Sequence, residues 1–388
     1  MGTCNPGSYR VVPSDIIKSN FTIKHMLGKG GFGETKKQYA LKEMSKLKLI
    51  KKKSVHCIMN ERNLLAMLKH PFIINMHYAF EDREKLYIIT DLLVGGDLRH
   101  HMKKKIKFDE ERLKFITACT VAALEYMHTN GVIHRDIKPE NMVFSKDGYV
   151  CVTDLGISTI WTPENCAETS GTPGYMAPEV MTKQNHGIAV DYYGLGIVCY
   201  EIIMGKRPYS GKNRKEISEI IMKKQIEITR DMMPKGWSVE AIDFVNQLIK
   251  RKPMSRLGFN GPEEVKEHPF IKDTNWKDLL DKTLLPPYIP KPKKAVKIKP
   301  LTTTEEEKKL KEKEEEDMLL RRNSVQKLFN GYHYDIEIEN KDLIEKETED
   351  KKLREAMSRV IKSKTLSTNI SLEANTKPDT VPLAYKQV

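Results

Sequence analysis

Asp136, Lys138 and Asn141 crowd into one short run, residues 134–141 (HRDIKPEN), and a second aspartate, Asp154, opens a DLG triplet thirteen residues after Asn141. These residue types at this spacing fit phosphoryl transfer from Mg-ATP. The reaction needs a carboxylate to orient an incoming hydroxyl and accept its proton, a cation beside the moving phosphate, and hard oxygen ligands for Mg²⁺. Asp136 is the candidate for the first role and Lys138 for the second. Asn141 and Asp154 are the candidates for the third.

Other elements must bring the nucleotide to this loop. Alternating apolar residues (Phe21, Ile23) lead into 28–34, GKGGFGE, which reads as a strand entering a glycine turn. Gly28, Gly30 and Gly33, with Lys29, Gly31 and Phe32 between them, would let the backbone approach phosphates. A glycine turn alone is weak evidence, but residues 39–42 (YALK) follow as a strand and place Lys42 to neutralise phosphate oxygens. A helix over 56–69, with Ile58, Leu64, Leu65 and Leu68 on an apolar face, carries Glu61 as the partner for Lys42. Taken singly, that lysine and glutamate would be ordinary surface residues; the complete set gives them roles. A buried strand is expected at 86–89, and Gly95-Gly96 marks the passage to a mainly helical region. Helices are expected over 110–130, 191–204, 214–224 and 239–250, and 268–270 (HPF) closes the last core segment.

The chain of 388 residues has room for one large two-lobed domain or two ordinary ones. Its hydrophobic fraction of 39% is low and its charged fraction of 31% high, because the regular apolar runs of 21–280 do not continue through 291–388. The net charge of +13 comes from scattered lysine clusters. A solvated surface is the first expectation, an anionic membrane surface the second, and no nucleic-acid partner is expected because no aromatic or nucleic-acid motif accompanies the lysines. Six cysteines (Cys4, Cys57, Cys119, Cys151, Cys166, Cys199) without CxxC spacing or a secretory signal suggest reduced thiols and a cytoplasmic setting. No apolar run approaches the roughly 18 residues that a membrane helix needs.

In family order across about 250 residues, these motifs resemble the eukaryotic protein kinases. The segments HPF (70–72) and GTPGYMAPE (171–179), with a long C-terminal tail, resemble its AGC group. DLLVGGDLRHHM (91–102) and the NWKDLL and LLPPYIP segments within 275–290 resemble the "yet another novel kinase" (YANK) branch. The resemblance implies an α+β, two-lobed fold with a small β-rich N-lobe over 21–94 and a larger helical C-lobe over 95–271. An AGC-type tail over 272–388 would follow, with a proline-enforced extended path, a charged helix over 304–317 and a disordered end from 361. It implies ATP and Mg²⁺ as cofactors, protein substrates with Ser or Thr acceptors, and a monomer. It adds Asp91, Leu93 and Asp97 to the nucleotide-binding residues, and it implies that Asp97, Glu140 and Glu201 receive arginines upstream of the target hydroxyl.

The same resemblance marks several local features. Leu155 should fill the apolar socket that usually holds phenylalanine, and Thr90 should leave the pocket behind adenine open. Glu168 stands where a phosphorylated residue is usual and would pair with Arg135, with Thr169 beside it as a possible acceptor. Ser324, in RRNSV, has the form of a target for a basic-directed kinase. Phe329, Tyr332 and Tyr334 resemble the aromatic motif that docks an AGC tail on its own small lobe. His333 replaces the usual phosphorylatable residue, so docking should need no phosphate there.

One departure stands out. Only eight residues separate Gly33 from Lys42, too few for two paired strands and their turn. Losing that apolar cover over adenine would cost about 1–2 kcal/mol, roughly tenfold in affinity. An active serine/threonine kinase is therefore the first expectation, and a catalytically silent scaffold the second. Met1-Gly2 with Cys4 nearby suggests N-terminal acylation and a peripheral membrane location, although Pro6 stands where Ser or Thr is preferred.

Overall fold

Three runs pair into an antiparallel sheet, Tyr39–Ser45 (β1), Met76–Glu81 (β2) and Lys85–Asp91 (β3), in the order β1-β3-β2, and the central one is rich in aromatic and β-branched residues (Tyr87, Ile88, Ile89, Thr90). In register, Tyr39 faces Asp91 and Lys42 faces Ile88. The central strand β3 buries Leu86, Tyr87, Ile88 and Ile89, and the Phe80 ring stacks on Tyr87 at 4.9 Å. Between β1 and β2 run two helices, Lys46–Lys51 (α1), which the sequence pattern did not suggest, and Val55–Met67 (α2). Ile58, Glu61 and Leu65 lie on one stripe of α2 at spacings of three and four, which is why Glu61 shares the buried face.

This computed structural model describes residue 21 and residues 38–104, 106–162, 170–223, 225–291 and 320–339. The glycine loop 28–33, the candidate acylation site near Gly2 and Cys4, Glu168 and Thr169, the charged helix 304–317 and the end from 361 lie outside them. The chain forms two units, 1–334 and 335–388, and every feature below belongs to the first.

The region beyond the sheet is mainly helical. Gly96–Asp97 (β4) leads into Leu98–Lys103 (α3), and Glu110–Thr129 (α4) follows. Asp109 caps α4 by accepting from Arg112 N–H at 3.0 Å, and Glu110 and Glu111 suit its positive N-terminal end. Val132–Ile133 (β5) pairs with Thr159–Ile160 (β8), while Met142–Phe144 (β6) and Val150–Val152 (β7) form a hairpin that β4 extends. Pro178–Met181 (α5), Ala189–Met204 (α6), Arg214–Lys223 (α7) and Val239–Leu248 (α8) complete the helical core with α4. The long helices expected from periodicity are present within two residues at each end. The short β4–β8 strands carry too few residues to show a period. No helix among the described residues is long and apolar enough to cross a membrane. Cys119, Cys151 and Cys199 are buried free thiols whose pKa values burial pushes up to about 12, which suits packing roles.

Pro262–Lys266 (α9) and Trp276–Leu280 (α10) precede an extended segment. That segment is packed down. Tyr149 Oη donates to Leu284 C=O at 2.5 Å, and Tyr288 Oη lies 3.0 Å from His101 Nδ1. Gly95 permits the approach, since a Cβ there would sit 2.6 Å from both Phe144 and Pro290. Later, Asn323–Gln326 (α11) and the aromatic residues after it close against the sheet and α2. Phe329 and Tyr332 are fully buried and Tyr334 nearly so. Lys46, itself buried, pairs with Glu81 at 2.7 Å, donates to Gln326 Oε1 at 2.7 Å and lies under the Phe329 ring. Arg62 donates to the carbonyls of Tyr332 (3.0 Å) and His333. These contacts use backbone carbonyls, aromatic rings and the Gln326 and Glu81 side chains.

His70 shows how the helix-to-strand corner depends on pH. Its Nδ1 accepts from Phe72 N–H at 3.2 Å and its ring stacks on Tyr126. Burial, aided by the Lys282 charge, lowers its pKa from 6.5 to about 4. The unfolded chain therefore binds more protons between those values, so this stabilisation is complete above the unfolded pKa and is lost as pH falls toward 4. Denaturant titrations at about pH 7 and about pH 5 should show the parent losing ~2 kcal/mol more than His70→Asn. Equal losses would remove His70 as the cause.

Candidate active site

The β6–β7 hairpin explains how two distant ligand candidates meet. Met142 pairs with Val152, and one step further out Thr153 N–H donates to Asn141 C=O at 2.9 Å. Asn141 and Asp154 thereby reach the same end of the hairpin. Asp154 adopts φ +66°, a left-handed conformation uncommon for a non-glycine residue. Leu155, expected in an apolar socket, is fully buried. Gly156 then brings two acids together: a Cβ there would stand 3.2 Å from Asp154 Oδ1 and 3.9 Å from Glu61 Oε2.

Asp136 sits in a saturated hydrogen-bond frame. Its Oδ1 accepts from Thr172 N–H at 3.0 Å and from Thr172 Oγ1 at 2.8 Å. Its Oδ2 accepts from Lys138 Nζ and from Asn141 Nδ2, the latter at 3.1 Å. Lys138 Nζ also donates to Thr172 Oγ1 at 2.8 Å, tying the catalytic-loop candidates to the 171–179 segment. Asn141 lies in the 3₁₀ turn Pro139–Asn141, and its Nδ2 also donates to Asp136 C=O. With its amide nitrogen committed to Asp136, its oxygen is left to serve as a ligand.

Sequence reasoning gave no role to the residue that holds this loop. Asp191, 1% exposed at the start of α6, accepts from His134 N–H at 2.9 Å and Arg135 N–H at 2.7 Å, and its Oδ2 lies 2.9 Å from His128 Nε2. Burial alone would raise this carboxyl's pKa, but the His128 hydrogen bond and the charges of His128 and His134 outweigh it and hold it below the usual range. A signal was present: Asp191 is one of only two acids in the otherwise apolar and hydroxyl-bearing α6.

On the sheet side, Lys42 Nζ donates to both oxygens of Glu61, at 2.7 and 2.9 Å, so the expected pair is formed. Its side chain remains about half exposed and open to a phosphate. Thr90 and half-buried Leu93 lie on the passage between the sheet and the helical region. The Asp91 side chain is engaged within the protein: its carboxylate accepts from Asn75 N–H and Nδ2 and lies 2.8 Å from His77 Nε2. Asp97 caps α3 by accepting from His100 N–H at 2.7 Å.

Of the three acids expected to receive substrate arginines, Glu140 and Glu201 are paired within the chain itself. Arg99 of the same chain donates to Glu140 Oε1 at 2.8 Å and to both oxygens of Glu201 at 2.7 and 3.0 Å, with Tyr175 Oη as a further partner. Nearby, Arg256 forms a buried fork with Glu179, at 2.6 and 2.9 Å, anchoring the APE segment. Neither arginine carried a local signal.

Comparison with known proteins agrees with this geometry. The protein kinase domain family matches residues 21–271. A protein of Dictyostelium discoideum named "Probable serine/threonine-protein kinase" is 38% identical over 292 residues, covering 73% of this chain and 63% of the relative. The RAC family serine/threonine-protein kinase homolog of the same organism is 35% identical over 71% of this chain and 63% of its own length. Ribosomal protein S6 kinase alpha-2 of Mus musculus is 37% identical over 70% of this chain and 38% of its own length. The chain thus spans less than two thirds of these curated relatives. With the domain match covering the sheet, the catalytic loop and the helical core, the chain belongs to the protein kinase family.

Proposed function

We propose that this protein is a serine/threonine kinase that transfers the γ-phosphoryl group of Mg-ATP to hydroxyls of protein substrates. One observation carries the reading: the Lys42–Glu61 pair and the Asp154 carboxylate meet around Gly156, at the hairpin end that Asn141 shares with the Asp136 frame. The donor chemistry fits the cofactor. Asn141 and Asp154 offer two hard oxygen ligands, in keeping with an ion that takes few protein ligands and completes its shell with phosphate and water. Mg-ATP, when bound, supplies the transferable group and neutralises its charge.

The chain's own residues do the rest. Lys42, held by Glu61, contacts phosphate oxygens. Asp136 has all four acceptor positions filled, so an incoming hydroxyl must replace one donor. Lys138 is suited to leave, because a phosphate would give its ammonium a new partner. Asp136 then orients the hydroxyl and accepts its proton, while Thr172 keeps the carboxylate in place. A silent scaffold has no need for this polar frame. The short segment between Gly33 and Lys42 is the feature on that reading's side.

Three finer assignments belong to the same proposal. Placement in the YANK branch rests on the segments 91–102 and 275–290, which touch each other through His101 and Tyr288. A cytoplasmic, monomeric kinase is the corresponding setting. Ser324, exposed in the first turn of α11, is an acceptor for autophosphorylation or for relay phosphorylation by another kinase.

The test is direct. Purified protein with γ-labelled ATP and a peptide library centred on Ser or Thr should yield phosphoserine and phosphothreonine. Chelating Mg²⁺ should lower the rate on the order of 100-fold or more, since the metal's charge stabilisation is worth several kcal/mol. Labelling no greater than in the chelated control would sink the proposal.

A further inference from the structure

The Arg99 cluster lies where a substrate chain must pass. Glu140 is in the turn between Lys138 and Asn141, both of which touch Asp136. Tyr175 N–H donates to Thr172 C=O at 2.9 Å, and Thr172 braces Asp136 from the other side. A peptide presenting its hydroxyl to Asp136 advances about 3.3 Å per residue when extended. Side chains two or three residues from the acceptor therefore fall within reach of Glu140 and Glu201. Those two carboxylates form a pocket suited to a guanidinium, and the chain itself fills it. Arg99 is forked onto Glu201 and reaches Glu140 through a third nitrogen, so the hydrogen bonds of a bound substrate arginine are already made. Glu201 and Tyr175 are buried, whereas Glu140 is 45% exposed, so the pocket opens toward solvent on the Glu140 side.

We propose that Arg99 is a specificity-determining residue, an internal occupant of the two-carboxylate pocket that suppresses selection for substrate arginine near the acceptor. This inference rests on the kinase reading above. A substrate guanidinium gains in the pocket only what Arg99 gives up, so exchange is close to neutral and arginine confers little advantage. With Arg99 removed, the two carboxylates stand uncompensated and a substrate guanidinium supplies the missing charge.

The experiment compares kcat/KM for matched serine peptides bearing Arg or Ala at the second and third positions before the acceptor. The parent should favour the arginine peptides by less than about threefold. Arg99→Ala should raise that ratio on the order of tenfold or more, the worth of one charged hydrogen-bonded contact. Adding Glu201→Gln to Arg99→Ala should remove most of the gain. Arg99→Gln, which keeps a donor between the carboxylates without the charge, carries the test if Arg99→Ala fails to fold in a melting assay. A parent ratio already above about tenfold, or an unchanged ratio in a folded, active variant, overturns the inference while leaving kinase activity intact. Absence of transfer by the parent to every peptide overturns the kinase reading, and this inference with it.

Discussion

Asp136→Ala should lower the rate of phosphoryl transfer by about 10²–10⁴-fold, the range expected when a positioned general base is removed. The loss should appear in kcat more than in nucleotide affinity, because Lys42, Glu61 and Asp154 do not use Asp136 as a partner among the described contacts. The structure also makes a secondary effect unavoidable. Removing the carboxylate strips Thr172 N–H, Thr172 Oγ1, Lys138 Nζ and Asn141 Nδ2 of one acceptor each. Asn141 and Thr172 are then less well fixed, and some of the loss reflects disordering of the proposed metal ligand and of the brace. Nucleotide binding by a fluorescent ATP analogue, measured beside turnover, separates the two contributions. A variant that keeps more than about a tenth of the parent's kcat would mean another group takes the hydroxyl proton.

Arg256→Met should destabilise the fold by about 3–5 kcal/mol, the usual consequence of leaving one member of a buried ion pair alone. Arg256 is 1% exposed and Glu179 3%, and the guanidinium also donates to the carbonyls of Ala189, Lys250 and Arg251. Most of the effect should come from the uncompensated Glu179 carboxylate. Glu179→Gln combined with Arg256→Met should therefore recover part of the loss in denaturant titration, since the buried charge is then gone. A single variant destabilised by less than about 1 kcal/mol would show that water reaches the site. The pair joins the segment that carries Thr172 and Tyr175 to the end of the helical core. Its loss should also weaken the Asp136 frame.

The small lobe has a comparable dependence on distant chain. Glu61 and Arg62 are adjacent on α2 but face different tasks: Glu61 holds Lys42, and Arg62 holds the carbonyls of Tyr332 and His333. The docked aromatic segment is thus one residue removed from the Lys42–Glu61 pair. Because the grip uses main-chain oxygens, substituting His333 leaves its chemistry unchanged.

What the amino-acid order determined by itself was the local chemistry and the elements that carry it. Asp136, Lys138 and Asn141 share one loop, and Asp154 opens the next, thirteen residues on; the β6–β7 pairing that sets Asp154 beside Asn141 came only with folding. The long helices were readable because an apolar stripe repeats over several turns, and β3 because four consecutive apolar residues imply a strand buried on both faces. The short strands β4 to β8 and the helix α1 were not, since two to six residues carry too little period. Tertiary structure alone decided which charges are spoken for. Arg256 meets Glu179 across 77 residues, Arg99 meets Glu201 across 102, and Asp191 meets His134 across 57. A charged side chain looks the same in sequence whether it faces water, substrate or a buried partner. Only folding, which makes desolvation costly for any charge without a mate, selects among those fates.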